Sequence, residues 1–130
     1  SDVGASGMPA GHPAPAAPAS EVDLSGIAKP EGGLNVGEVF ADKANLSGQE
    51  ITLRGKVVKF SPQIMGKNWI HVQDGSGDQA AGTNDLTVTT SVTAQVGDTV
   101  LVQGPLTVDK DFGYGYQYDA IIEDAKVTVE

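Results

Sequence analysis

The chain has 130 residues, with 17 acidic and 8 basic side chains, a net charge of −9 at pH 7 and no cysteine. The length predicts one domain, and the lack of cysteine excludes disulfides, thiolate metal sites and a cysteine nucleophile. The negative charge disfavours broad binding to nucleic acid or to an anionic membrane surface, and no apolar run approaches the ~18 residues of a membrane-spanning helix.

The N-terminal segment, residues 1–33, is rich in Pro, Ala, Gly and Ser and offers few side chains that a core could bury. Such a composition cannot offset the entropy lost on ordering, so it predicts a disordered Pro/Ala-rich tether. The folded domain is predicted over residues 34–130. The sequence shows no charged-then-apolar leader, so an exported protein would have lost its signal peptide.

One short helix is predicted within LNVGEVFADKANLSG, residues 34–48. Asn35 and Glu38 have the spacing of a capping box, and Gly48 stands where the helix would end. Its apolar stripe at helical spacing comprises Val36, Val39, Phe40 and Leu46. The helix therefore has one face that a core could bury.

Everything after Gly48 is predicted as strand and turn. The five predicted strands are EITLRGKVVKF, NWIHVQD, DLTVTTS, DTVLVQGPLTVD and YQYDAIIEDAKVTVE. Gly55 in the first strand and Gly104-Pro105 in the fourth predict a bulge, a bend or an edge. The pattern predicts an all-β fold, a five-stranded Greek-key barrel with one short N-terminal helix.

Two of the strands alternate clearly between polar and apolar residues. In the second strand Ile70 and Val72 share one face, and the opposite face carries Trp69, His71 and Gln73. In the third strand Leu86 and Val88 share a face, with threonines opposite. The pattern leaves open which face of the second strand looks into the barrel.

The segments LRGKVVKFSPQIMGKNWIHVQDGSGD, NDLTVTT and VGDTVLVQGPLTVDKDFGYGYQYDAIIEDAKV resemble a family of small exported bacterial OB-fold proteins, described as nucleotide-binding-like or tRNA-anticodon-binding-like. The resemblance runs from Leu34 to the C-terminus, and MPAGHP in the tail resembles the leader of some exported domains of this kind. It implies a five-stranded OB barrel and a periplasmic or extracellular location. One departure is SVTAQVGD, which is too short and too β-branched for the helix that many OB folds place between strands three and four.

OB folds bind ligands on the face of strands two and three, between the first-to-second and fourth-to-fifth loops. Here those loops are SPQIMGKN, which includes Met65, and DKDFGYGYQ. The predicted ligand-binding residues are Lys67, Asn68, Trp69, His71, Phe112, Tyr114 and Tyr116, with Lys56, Lys59 and Lys110 as further cations. Aromatic side chains beside cations suit a nucleotide or single-stranded nucleic acid. The alternative is that the aromatic residues only close the barrel and its rim.

Metal binding has two weak candidates in the sequence. Asp74, Ser76 and Asp78 alternate as at the start of a Ca²⁺ loop, but the pattern then fails at Gln79, and DGSG equally predicts a hairpin turn. In the tail, the thioether and imidazole of Met8 and His12 suit Cu(I), although the neighbouring prolines also suit a tether. We predict no cofactor and no dedicated metal site.

No catalytic constellation is visible. Histidine titrates near neutral pH, but His71 has no paired carboxylate at readable spacing, and no Ser-His-Asp order or phosphate loop appears. The sequence therefore predicts a non-enzymatic OB-fold binding module of the bacterial envelope, for an oligonucleotide, a nucleotide or an envelope protein. The alternatives are an acidic structural or accessory domain of an envelope or cell-surface complex, redox complexes included, and copper handling by the tail.

Overall fold

Six strands and two short helical segments make up the part of the chain that the computed structural model describes, residues 22–113 and 117–130. Their bounds are α1 Val36–Ala41, α2 Lys43–Leu46, β1 Glu50–Ile64, β2 Lys67–Gln73, β3 Leu86–Thr90, β4 Thr99–Asp111, β5 Gln117–Ile122 and β6 Lys126–Val129. The predicted all-β class is confirmed. The prediction of five strands is wrong, because the last one is interrupted at Asp124, where φ is 54°.

Most of the predicted tether, residues 1–21, lies outside the described residues. The stretch that follows, residues 22–33, contacts the domain. The carbonyl oxygen of Ala28 accepts a hydrogen bond from Arg54 Nη1 at 2.8 Å, and Lys29 pairs with Glu38 at 3.1 Å. The boundary at residue 33 stays a prediction.

The predicted capping box is confirmed at the start of α1. Asn35 Oδ1 accepts from the Glu38 amide at 2.8 Å, and the Glu38 carboxylate accepts from the Asn35 amide at 2.9 Å. The pKa of Glu38 is lowered mainly by the hydrogen bond from the Asn35 amide and, to a smaller extent, by Lys29. The single predicted helix is divided in two at Asp42, where the backbone leaves helical geometry.

The strands form one mixed sheet in the order β1-β2-β3-β5-β4-β6, and β1 also pairs with β4. This additional pairing partly closes β1, β2, β3, β5 and β4 into a ring, while β6 adds to β4 outside it. Among the described strands, β3 and β5 are the one parallel pair, joined at Thr87–Ile121 and Val88–Ile122. The other pairings are antiparallel.

Next to Gly55, β1 changes its hydrogen-bonding neighbour. Residues 50–56 pair with β4, and the strand pairs with β2 from Lys56 onward. A Cβ on Gly55 would meet the Val72 side chain and lie 2.9 Å from the carbonyl oxygen of Gln73. The strands therefore approach too closely for a side chain. The register shift that marks the bulge comes slightly later, across residues 57–59.

The Gly104-Pro105 step marks a change of partner in β4 without a bulge. Before it, residues 100–103 pair with β6, and after it residues 106–111 pair with β5. The register with β1 stays constant through Pro105, so the bulge predicted there is not found. Packing explains the glycine at position 104, because a Cβ there would lie 2.7 Å from Ile122 Cγ2.

The core lies inside the ring and confirms the predicted alternation of β2 and β3. Its fully buried members include Ile70, Val72, Leu86, Val88, Val100 and Val102. Residues 91–98, between β3 and β4, form no helix, as predicted. Val36 and Val39 of α1 join the core, so the helix that precedes β1 covers part of it. Among the described residues, no helix is long and apolar enough to cross a membrane.

Candidate functional site

Three aromatic side chains, Trp69, Phe112 and Tyr118, form an aromatic cluster that joins β2 to the adjacent ends of β4 and β5. The ring centroid of Trp69 lies 5.4 Å from that of Phe112 and 5.8 Å from that of Tyr118, and the last two are 5.9 Å apart. None of the three belongs to the main core. Since Ile70 and Val72 face that core, Trp69 lies on the opposite face of β2.

Trp69 is buried by the chain's own side chains. Only 6% of its surface is exposed, and its indole N–H donates to the Ile64 carbonyl oxygen at 2.8 Å. Phe112 packs edge-on against it, at an interplanar angle of 68°. In this conformation Trp69 is no open stacking platform.

The connection between β1 and β2 is shorter than the predicted loop SPQIMGKN. β1 runs to Ile64 and β2 begins at Lys67, which leaves Met65 and Gly66 as the turn. Both residues have positive φ, 54° and 78°, as a type I′ hairpin turn requires. The turn is therefore a tight tip, and most residues of the predicted loop belong to strands.

Asn68 holds this hairpin together. It is 5% exposed, its Oδ1 accepts from the Gln63 amide at 3.0 Å, and its Nδ2 donates to the Val92 carbonyl oxygen at 3.2 Å. A buried polar side chain needs such partners. Both ends of the amide are thus engaged inside the protein, and Asn68 supports the site by positioning the hairpin.

Lys67 and Lys110 lie beside the aromatic cluster and are ion-paired. Lys67 Nζ is 3.1 Å from Asp124 Oδ1, and Lys110 Nζ is 3.7 Å from Glu123 Oε2. The Lys110 ammonium also lies 5.0 Å from the centre of the Phe112 ring, within the range of a cation–π contact. Neighbouring carboxylates thus compensate the charge of these two predicted cations.

His71 has a carboxylate partner that the sequence spacing did not reveal. Its Nδ1 lies 2.8 Å from Asp85 Oδ1, 14 residues later, and Gln73 Nε2 donates to the other oxygen of Asp85 at 2.9 Å. Both members of the His71–Asp85 pair are 28% exposed. The carboxylate orients the imidazole and fastens the loop before β3 to β2.

Lys56 and Lys59 extend the polar surface across to β1. Lys56 stands directly opposite Gln73, and Lys59 stands directly opposite His71. Residues directly opposite in an antiparallel pair share a face. We call the surface that carries Lys56, Lys59, His71, Lys67 and the aromatic cluster the β2 face.

An open pocket adjoins the aromatic cluster through Tyr118. Its volume is about 260 Å³, and its lining is Asp109, Lys110, Asp111, Gln117, Tyr118 and Asp119. We call it the acidic pocket, because three carboxylates and one ammonium group line it. It extends the negative charge of the chain to the edge of the β2 face.

The DGSG segment caps the N-terminus of α1. Asp74 accepts from the Val36 amide at 2.9 Å, and Ser76 Oγ accepts from the Gly37 amide at 2.8 Å. The Asp74 carboxylate also accepts from the Ser76 amide and hydroxyl. The oxygens considered as calcium ligands thus bind backbone amides, and the described residues contain no group of three or more His, Cys, Asp or Glu arranged for a metal.

Replacing Asp74 with alanine is expected to lower the free energy of unfolding by about 1–2 kcal/mol, because the Val36 amide at the start of α1 and the Ser76 amide lose their acceptor. Urea denaturation measures the change. Asp74→Asn keeps an acceptor and should lose less, and Gln79→Ala, at an exposed position of the same loop, should change nothing measurable. Equal losses for Asp74→Ala and Gln79→Ala would contradict the capping role.

Some predicted site residues lie outside the described residues, namely Tyr114 and Tyr116 in the β4–β5 connection and Met8 and His12 in the tail. The structure brings together Trp69 and Phe112, and Lys67 lies two positions before Trp69 on the same face of β2. Tyr118 and Asp85 belong to the site and were not predicted. Asp85 follows from the pairing of β2 with β3, since Val72 lies opposite Leu86 and the next pair outward would be Gln73 and Asp85.

No protein-family model matches this chain, and no curated protein is significantly similar to it in sequence. A functional assignment therefore rests on the chain's own residues and on their geometry.

Proposed function

We propose that this chain is a non-enzymatic OB-fold binding module of the bacterial envelope and that its ligand contacts the β2 face. The order of the ring strands, with β1 paired to β4 and one short parallel pair between β3 and β5, supports the OB fold. In that fold the corresponding face, between the β1–β2 turn and the β4–β5 connection, is where ligands bind. The envelope location rests on the sequence resemblance.

The observation that carries the proposal is the position of the aromatic cluster. Trp69 lies within β2, whereas Phe112 directly follows β4 and Tyr118 lies at the start of β5. Together they connect the β1–β2 side of an OB ligand site to its β4–β5 side, on the face of β2 that points away from the core. All three lie outside the main core cluster, so the β2 face carries an apolar group of its own.

The charges favour a protein ligand over nucleic acid. Within the described residues, five of the eight basic side chains are ion-paired with carboxylates, and these are Lys29, Lys43, Arg54, Lys67 and Lys110. Binding to phosphates needs cations that displace counterions, and these cations are already compensated. The covered ring of Trp69 likewise favours a ligand that contacts side-chain edges over one that stacks bases.

A matched pair of charge reversals tests the proposal. The native chain, Lys59→Glu on the β2 face and Lys126→Glu on the edge strand β6 are immobilised and exposed to a bacterial envelope extract. Both lysines are exposed and both substitutions change the charge equally. We expect an envelope protein that the native chain and Lys126→Glu retain equally and that Lys59→Glu retains to a clearly different extent, because only Lys59 lies on the contacted face. Equal retention by the two variants, or retention of nothing, would contradict the proposal.

Nucleic-acid binding remains the second candidate, favoured by Lys110 over the Phe112 ring. A fluorescent twelve-residue oligothymidine, titrated at low salt, separates the two candidates by its anisotropy. We expect no binding. Binding that shifts the amide signals of His71 and Trp69, and that disappears in Lys59→Glu, would favour the nucleic-acid ligand.

A further inference from the structure

The tip of the β1–β2 hairpin exposes two adjacent large apolar side chains. Four such side chains are exposed in the part of the chain that the structure describes, namely Ile64 at 37%, Met65 at 52%, Val96 at 51% and Val129 at 45%. Only Ile64 and Met65 are neighbours. Single exposed hydrophobic residues are ordinary, but contiguous ones mark contact surfaces.

Met65 also occupies a backbone conformation that suits other residues better. Its φ is 54°, and Gln63, two positions earlier, has a φ of 56°. The left-handed region favours Gly, Asn and Asp, and the first central position of a type I′ turn normally carries one of these. Residues held in this region cluster at functional sites. The backbone conformation therefore does not explain a methionine at this position.

Two hydrogen bonds connect the tip to the residues behind it. The indole of Trp69 donates to the Ile64 carbonyl oxygen at 2.8 Å, and Asn68 accepts from the Gln63 amide at 3.0 Å. Trp69 is itself fixed by Phe112. A preorganised element loses little entropy when it binds, so this anchoring suits a projecting contact element.

The chain is acidic, with a net charge of −9, and its acidic pocket lies on one side of the tip. Lys67 at the base of the tip is neutralised by Asp124, and Tyr118, which contacts Trp69, lines the acidic pocket with its three aspartates. An anionic membrane surface would repel this end of the molecule. A protein surface with basic residues around an apolar socket would be complementary to it.

We infer that the hairpin tip, Ile64 and Met65, is the docking element for a partner protein, inserting into an apolar socket whose rim carries lysine or arginine. The inference rests on the proposed function and specifies the chemistry of the protein ligand. Ile64 and Met65 supply the apolar contact, the aromatic cluster holds them in place, and the acidic pocket faces the basic rim. The left-handed backbone of Met65 lowers the stability of the turn, and we infer that it is kept because it presents a large apolar side chain at the tip.

The test uses a simplified partner surface, a fourteen-residue amphipathic helical peptide of leucine and lysine, mixed with the full chain. Two-dimensional amide NMR and peptide fluorescence anisotropy follow the binding. We expect shifts centred on residues 63–67 and on the acidic pocket. Met65→Asn and Ile64→Thr should each weaken the peptide affinity by about tenfold or more, because central apolar anchors carry most of an interface's affinity.

Matched controls distinguish a specific contact by the tip from nonspecific binding to any exposed apolar side chain. Val96→Asn and Val129→Thr remove apolar side chains of similar exposure elsewhere and should leave the peptide affinity within about twofold. Met65→Asn should raise the urea midpoint of unfolding, because asparagine accepts the left-handed conformation more readily. A variant that is more stable and binds more weakly identifies a binding residue, which a purely structural role would not produce.

Several results would overturn the inference. These are unchanged affinity in Met65→Asn, equal binding of a leucine–glutamate peptide, binding to phosphatidylcholine vesicles in place of the peptide, or no binding of any probe. A change of envelope-protein capture in Lys59→Glu but not in Met65→Asn would also overturn it while leaving the proposed function intact. Unchanged capture in both variants would overturn both.

Discussion

Replacing Trp69 with alanine is expected to lower the free energy of unfolding by about 3–5 kcal/mol, the range for removing a buried tryptophan. The substitution removes a side chain that is 6% exposed, its contacts with Phe112 and Tyr118, and its hydrogen bond to the Ile64 carbonyl oxygen. The effect should extend to the tip, because Ile64 loses its anchor. Chemical denaturation gives the stability change, and hydrogen exchange of the amides at residues 63–67 gives the local effect.

Trp69→Phe is the matched control for this prediction. It keeps most of the ring volume and loses the indole N–H, so it should cost about 1 kcal/mol from the hydrogen bond, together with a smaller packing loss. Exchange at the tip should nevertheless accelerate in both variants. A stability loss below about 1 kcal/mol in Trp69→Ala would mean that the aromatic cluster does not support the fold.

Replacing Gly55 with alanine is expected to cost about 1–3 kcal/mol, as overpacking of a filled site does. The new Cβ would meet the Val72 side chain and lie 2.9 Å from the carbonyl oxygen of Gln73, so β1 and β2 would have to separate. Because residues 50–56 also pair with β4, the strain would reach both neighbours of β1. Thermal and urea denaturation measure the loss.

A double-mutant cycle identifies the cause of this loss. Val72→Ala removes the side chain that the Gly55 Cβ would meet, so the double variant should be more stable than the sum of the single losses predicts. We expect a coupling of about 0.5–3 kcal/mol, the range for residues in contact. The rescue should be incomplete, because the carbonyl oxygen of Gln73 remains in place. Strict additivity would contradict the crowding at Gly55.

Local signals predicted the elements whose causes are local. The capping box of Asn35 and Glu38 involves residues three apart, and the alternation that buries Ile70 and Val72 is a property of any half-buried strand. The β1–β2 loop was predicted too long because Pro62 interrupts the strand pattern. The register shift between residues 61 and 64 accommodates this proline within β1, next to the tip.

The parts of the site that could not be predicted depend on contacts between distant segments. Alternation placed Trp69 on one face of β2 but could not show that Phe112 and Tyr118, far along the chain, cover that face. Asp85 reaches His71 only because of the register in which β2 pairs with β3. The sequence does not reveal that register, because the loop between the two strands, residues 74–85, is long. The resemblance to Ca²⁺ loops arose from Asp74 and Ser76, whose side chains instead accept hydrogen bonds from the first amides of α1.

Quenching of tryptophan fluorescence by acrylamide tests most directly the claim on which both proposals depend, that Trp69 is covered and anchors the hairpin tip. Trp69 is the chain's only tryptophan, so the signal has one source. We predict blue-shifted emission and quenching several-fold weaker in the native chain than in the urea-unfolded chain. Folded Phe112→Ala should be quenched more strongly than the native chain, because its Trp69 ring is less covered. Native quenching as strong as that of the unfolded chain would show a displayed ring and contradict the account.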